Sequence, residues 1–259
     1  GFESEMAAQR ERARAASQFD AVKTGELELD ADSDFVGYES LEARASILAI
    51  VQDGAVVDSV ATGTEALLVL DSTPFYAESG GQVGDRGVIR SGTAAFDVTD
   101  TVKNGDNWLH RGKVVEGEIS SGDRVTATVD KSARDATRLN RSATHLLHAA
   151  LRTVLGEHVN QRGSLVDSEK LRFDFSHFEA VTKAELREIE RMVNQEIRRN
   201  TAIETEIMDI NAAKEKGAMA LFGERYSEEV RVLTMGEGFS IELCGGTHAS
   251  RTGDIGLFR

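Results

Sequence analysis

Cys244 and His248 stand at the ends of a Cys-Gly-Gly-Thr-His run, and Thr144-His145-Leu146-Leu147-His148 lies far earlier in the chain. Thiolate sulfur and imidazole nitrogen are zinc donors, and zinc takes three or four of them in a tetrahedral shell. The paired glycines let the backbone wrap an ion held between Cys244 and His248, and His145 can supply a third donor from a facing helix. On residue type alone, a buried thiol and a hydrogen-bonded core histidine are commoner than a metal site. Two glycines between soft donors favour the metal. His148 shares a helix face with His145, but its leucine neighbours favour packing. A Cys244–His248 nucleophile pair is the other chemistry these types allow, and the metal reading uses both groups better.

A second group is the glycine loop Glu78-Ser79-Gly80-Gly81-Gln82-Val83-Gly84-Asp85, which can turn backbone N–H groups toward an anion. It lacks the Gly-Lys-Ser/Thr ending of a phosphate loop and the Gly-x-Gly-x-x-Gly spacing of a dinucleotide site. By itself it reads as an ordinary turn. Gln161 and Ser164 follow the helix that carries Thr144, and their amide and hydroxyl suit a small polar substrate and an oriented water. Arg138, Arg141, Arg162, Arg172, Arg198 and Arg199 add positive groups able to face phosphates, although such arginines are usually just solvated.

These residues need elements to hold them. Residues 2–19 read as a charged helix. From 34 to 130, short apolar runs such as SILAIVQDGAVVDSV, EALLVLD and RVTATVD alternate with turn signals, the pattern of a small β-barrel. Asp53-Gly54 marks a two-residue hairpin. After Lys131 the period becomes helical: Ser142 can cap a helix with Leu146, Leu147, Ala150, Leu151 and Leu155 on one stripe. A hairpin over 163–177, an amphipathic helix over 183–200 with Leu186, Ile189, Met192, Val193 and Ile197 inward, a strand at 204–210, a short helix at 211–221 and a second hairpin over 230–246 complete the pattern. The final TGDIGLFR reads as a strand. The class expected is α+β: an N-terminal helix, a small β-barrel, then helices packed on a mostly antiparallel sheet.

The chain has 259 residues, a net charge of −14 and one cysteine. The lone cysteine excludes an internal disulfide and makes the cytoplasm the expected compartment. No apolar run reaches the ~18–20 residues of a membrane-spanning helix, so no membrane partner is expected. The acidic balance argues against binding nucleic acid by bulk charge. The excess is regional, however. Residues 21–100 hold 15 acids against 4 Lys and Arg, whereas residues 141–259 hold 19 against 16, with five of the six histidines.

Taken together, FYAESGGQVGD at 75–85, RSATHLLHAALR at 141–152, NQRGSLV at 160–166, RFDFSHFEA at 172–180 and CGGTHASRTGDIGLF at 244–258 resemble alanyl-tRNA synthetases across essentially the whole chain. The resemblance implies an internal fragment: the end of the tRNA-recognition helices at 1–20, a β-barrel domain at 21–135 and an editing (deacylase) domain at 136–259, without the aminoacylation core. It implies hydrolysis of Ser-tRNA(Ala) and Gly-tRNA(Ala), with Thr144, Gln161 and Ser164 in the catalytic pocket and zinc on His145, Cys244 and His248. Gly80, Gly81 and Arg141 are the expected tRNA contacts. The partners implied are the acceptor end of tRNA(Ala), the misplaced serine or glycine, and the rest of the parent synthetase.

One departure matters. The family's helix motif is commonly His-x₃-His, and this chain has Arg141-x₃-His145. A guanidinium has no lone pair to give a metal, so either three protein ligands and a water remain or zinc is lost. Alternatives to the fragment reading are a free-standing trans-editing protein, an acceptor-end binding module with an impaired metal site, and a small-molecule zinc hydrolase without an RNA partner.

Overall fold

The computed structural model describes residues 32–219 and 228–259, so the helix expected at 1–20 lies outside the described residues. Two compact units emerge. Among the described residues, one takes 32–78 together with Gly84–Asp130; the other takes Ser79–Val83 together with 131–219 and 228–259.

Among the described residues, the regular elements of the first unit are all strands: β1 (Asp34–Phe35), β2 (Glu42–Gln52), β3 (Ala55–Val57), β4 (Ser59–Ala61), β5 (Glu65–Leu70), β6 (Ser72–Thr73), β7 (Gly87–Ser91), β8 (Ala94–Asn104), β9 (Asn107–Glu116), β10 (Glu118–Ser120) and β11 (Arg124–Val129). An antiparallel ladder runs β11-β7-β8-β9-β5-β2, and β2 pairs back onto β11 to close a six-stranded barrel. Closure removes the unpaired edges that an open sheet exposes. Alternate residues turn inward, as Val125, Ala127 and Val129 do on β11, and Ile50, Leu68, Phe75, Ile89, Phe96 and Ile119 fill the interior. The expected hairpin is present: Gln52 pairs with Ala55 across Asp53 (φ 51°) and Gly54 (φ 81°). Positive φ at both central residues matches the right-handed twist of the flanking strands.

The second unit opens with α1 (Lys131–Leu155) and continues through the hairpin β12 (Gln161–Val166) and β13 (Leu171–Phe175), α2 (Lys183–Arg199), β14 (Glu204–Asp209), α3 (Ile210–Glu215), β15 (Glu229–Met235) and β16 (Ser240–Leu243). Strands β14, β15 and β16 form an antiparallel sheet in chain order. Leu146, Ala150 and Leu151 of α1 and Ile189, Val193 and Ile197 of α2 pack with Leu233, Met235 and Cys244 into one core. Helix α2 begins at a capping box, Thr182 with Glu185, and ends at Asn200 in the left-handed region. The chain is an α+β protein with mostly antiparallel sheets.

Four local expectations are corrected. Helix α1 starts at Lys131, which puts Ser142 in its interior instead of at its cap. The buried face of those early turns is polar, with Arg134, Thr137 and Arg141, so no apolar period announces it. Leu186 is 53% exposed, on the outer face of α2. The helix expected at 211–221 ends at Glu215; Gly217 takes φ 83°, and Met219 exchanges backbone bonds with Ile241 and Leu243. The segment 252–259 is a 3-10 turn at Thr252–Ile255 followed by irregular chain, because the Asp254 carboxylate accepts the Arg251 N–H at 2.9 Å and closes a turn.

Candidate active site

All the residues that follow belong to the second unit. His145 on α1 and Cys244 and His248 just beyond β16 bring their ligand atoms within 4.8 Å of one another. The Cys244 sulfur is buried and heavily contacted. Arg141 Nη2 donates to it at 3.2 Å, the Gly246 N–H donates at 3.3 Å, and His248 Nε2 lies at 3.2 Å. Burial alone would raise the thiol's pKa, but the Arg141 guanidinium and the His145 imidazolium outweigh it and hold Cys244 well below the ordinary thiol value.

Behind the sulfur, one carboxylate orients two histidines. Glu242 on β16 takes His145 Nδ1 on one oxygen at 2.6 Å and His148 Nδ1 on the other at 2.9 Å. The two histidines are three apart on α1 and therefore face the same way. This orientation leaves both Nε2 atoms buried without a hydrogen-bond partner. Burial works to lower the His145 pKa, yet the charges of Glu242 and Cys244 raise it to about 9. Burial likewise works against ionisation of Glu242, and His145 and His148 nonetheless hold its carboxyl well below the usual range. His248 goes the other way: burial brings it to about 4, against the pull of Cys244. Ser142 Oγ accepts the Ala249 N–H at 3.0 Å and lies 3.2 Å from His248 Nδ1. With neutral His248, the consistent proton placement is Ser142 O–H donating to Nδ1 and Nε2–H donating to the sulfur. Arg141 thus faces the Cys244 sulfur and His145 faces Glu242, so each buried basic side chain meets an acceptor.

The glycine loop reaches this cluster from the far side. Gly81 O accepts the Val166 N–H at 2.7 Å and the Val83 N–H donates to Val166 O at 3.0 Å, so Ser79–Val83 lies along the edge of β12. Arg141 Nη1 donates to Gly80 O at 2.7 Å. Gln82, fully buried, grips Thr247. Gly81 has φ +82°, and a Cβ there would come within 2.7 Å of Ser164 Cβ and of Ser164 O. Only glycine meets both conditions.

The structure therefore joins Gly80, Arg141, His145, Cys244 and His248 in one network and sets Gly81 against Ser164, whose buried hydroxyl has no hydrogen-bond partner. Arg141 is 2% exposed and points inward. Thr144 is buried one residue before His145, with its hydroxyl donating to Asn140 O at 2.9 Å. Gln161 begins β12 and is half-buried. Of the arginines singled out as phosphate contacts, Arg138 pairs with Asp135, Arg172 with Asp174 at 3.1 Å, and Arg199 with Glu196 and Glu237. Sequence reasoning missed Glu242, Gln82, Ser142 and Thr247. The one available signal was a lone acid, Glu242, two residues before the cysteine in an otherwise apolar strand end.

The donor set can be tested against a zinc ion. Three donors converge, and the buried Nε2 of His145 has no hydrogen-bond partner, as a metal ligand's nitrogen would be before binding. The fourth corner carries a guanidinium already bonded to the same sulfur. These residues do not fit a closed four-ligand zinc site.

The family described as tRNA synthetases class II (A) matches residues 1–133, and the family described as Threonyl and Alanyl tRNA synthetase second additional domain matches residues 230–259. The chain is 56% identical over all 259 residues to alanine–tRNA ligases of Pseudomonas entomophila and of Shewanella loihica. It spans 30% of the length of those relatives. The similarity covers the barrel, the glycine loop and the Cys244 turn alike, and the chain belongs to the class II (A) tRNA synthetases, within which it resembles a part of alanine–tRNA ligase.

Proposed function

We propose that this chain is the editing module of an alanine–tRNA ligase and hydrolyses the ester joining serine or glycine to tRNA(Ala). The observation that carries the reading is the convergence of the Ser79–Val83 loop, α1 and the Cys244 turn on one buried polar cluster, tied by Arg141–Gly80 and Gln82–Thr247. A pocket selective for alanine cannot strongly reject glycine, which lacks one methyl, so a second hydrolytic site has a physical task. In this reading residues 21–135 serve as the barrel domain and 136–259 as the deacylase.

The reaction is the addition of water to the ester carbonyl. The bond to the ribose oxygen breaks, the proton from water goes to that oxygen, and free amino acid and uncharged tRNA leave. Thr144 and Gln161 border the aminoacyl group, with Ser164 behind them, and the Gly80–Gly81 backbone faces the terminal nucleotide. Arg141 acts on that end through Gly80, holding the loop from inside. Zinc in this family would sit on His145, Cys244 and His248; with Arg141 on the sulfur, no step here runs through a metal. The partners are the tRNA(Ala) acceptor end and the rest of the synthetase, in the cytoplasm. Among the described residues, no helix is long and apolar enough to cross a membrane.

A deacylation assay with Ser-tRNA(Ala) tests the reading: release of serine well above the spontaneous rate is expected, and release at that rate sinks it. The Arg141–Cys244 contact favours one rival, an acceptor-end binding module without turnover. Binding of tRNA with no deacylation would select it.

A further inference from the structure

The mismatch with a four-ligand zinc site is built into the fold. Arg141 is 2% exposed, and its two terminal nitrogens are committed to different elements: Nη1 to Gly80 O at 2.7 Å and Nη2 to Cys244 Sγ at 3.2 Å. The room it needs is also provided, because a Cβ at Gly246 would come within 2.9 Å of Arg141 Nε and 3.0 Å of Gln82 Oε1. A zinc ion bonded to this sulfur would lie about 2.3 Å from it, and about 2.0–2.1 Å from each imidazole nitrogen. A cation already touches the sulfur.

We propose that the Arg141 guanidinium stands in for the metal cation in this chain: it occupies the open corner of the His145–Cys244–His248 cluster and competes with zinc for the Cys244 sulfur. The inference deepens the proposed function, since the expectation of zinc comes from that reading, but its support is the geometry of Arg141. Substitution of a planar fork for a tetrahedral ion changes what the cluster holds. Zinc would tie together three side chains of α1 and the Cys244 turn. Arginine ties that turn to the glycine loop instead. Metal uptake requires Nη2 to leave the sulfur, and the same swing withdraws Nη1 from Gly80 O. Metal binding at Cys244 and the Arg141–Gly80 bond are therefore mutually exclusive.

The test is metal binding, read without any activity assay. The chain, Arg141→His and Arg141→His/Cys244→Ser are purified, dialysed against a chelator and analysed for zinc. Each is then titrated with Co²⁺ while thiolate-to-cobalt absorbance is followed. The expected result is far less than one zinc per native chain, one per Arg141→His chain, Co²⁺ affinity at least about 100-fold higher in Arg141→His, and loss of that gain in the double variant. One chelator-resistant zinc per native chain, or equal Co²⁺ affinity in native and Arg141→His chains, overturns the proposal. Should Arg141→His fail to fold, the zinc content of the native chain decides alone. Deacylation is scored separately. A zinc-loaded native chain that hydrolyses Ser-tRNA(Ala) refutes this inference and leaves the function standing; a zinc-free inactive one does the reverse.

Discussion

Gln82 and Thr247 hold each other through two hydrogen bonds, Gln82 Nε2 to Thr247 Oγ1 at 2.8 Å and Thr247 N–H to Gln82 Oε1 at 3.0 Å, across 165 positions of sequence. Gln82 is fully buried and Thr247 nearly so. Truncation to Ala strands a buried donor and a buried hydroxyl, which costs about 2 kcal/mol. Gln82→Ala should therefore lower the unfolding free energy obtained from urea denaturation by that amount. The Ser79–Val83 amides should also exchange hydrogen faster, and unchanged exchange there would show that the pair does not anchor the loop.

Glu242 accepts from two histidines at once. Glu242→Gln removes the one negative charge facing His145 from behind and leaves a buried positive group without its partner. Breaking a buried pair from one side costs about 3–5 kcal/mol. The amide keeps the shape and one oxygen acceptor, so the lower end is expected. Chemical denaturation at pH 7 measures it, and a loss under about 1 kcal/mol would mean that the carboxylate charge is not needed.

In the barrel, His110 is fully buried, with Nδ1 2.8 Å from Leu68 O and Nε2 2.7 Å from Thr73 Oγ1. Burial holds its pKa at about 4, against the smaller opposing effect of the Leu68 carbonyl and below its ordinary 6.5. Between these values the unfolded chain takes up a proton that the folded one refuses. The contribution is thus whole above pH 6.5 and falls as pH drops toward 4, by about 3 kcal/mol in all. His110→Gln can keep both hydrogen bonds without titrating. The difference in unfolding free energy between native and variant chains should shift by that amount from pH 7 to pH 4; a pH-independent difference would refute it.

Gly81→Ala combines a left-handed backbone with contact against Ser164. The expected cost is about 2 kcal/mol. Ser164→Gly removes the Cβ at 2.7 Å but not the backbone oxygen at the same distance, so the double variant should recover part of the loss. Strict additivity in that cycle would show that the two residues do not touch.

The barrel strands were legible because their inward residues are apolar and their turns carry Asn, Asp and Gly, as at Asp53-Gly54. The second half was legible where its buried faces are apolar, and not where they are polar. The first turns of α1 bury Arg134, Thr137 and Arg141, and a hydrophobic period cannot report an arginine facing inward. Cys244, His248 and His145 stood out by residue type. Glu242 did not, since its histidines lie 94 and 97 residues away and only the pairing of α1 with β16 brings them within reach. Arg141 was readable as an anomaly, while its inward aim depended on Gly80 and Gly246 being where they are.

The assignment of Ser79–Val83 to the second unit bears on how the protein can be cut. A truncated gene beginning at Lys131 would encode every described helix of that unit yet omit Ser79–Val83, with the buried Gln82 among them. Val166 would lose both backbone partners, Thr247 its amide clamp, and Arg141 the carbonyl that fixes one arm. Expression of such a piece should give a soft, poorly packed product. A short peptide spanning Glu78–Gly84, supplied in trans, should restore its order, as a missing strand restores a split protein.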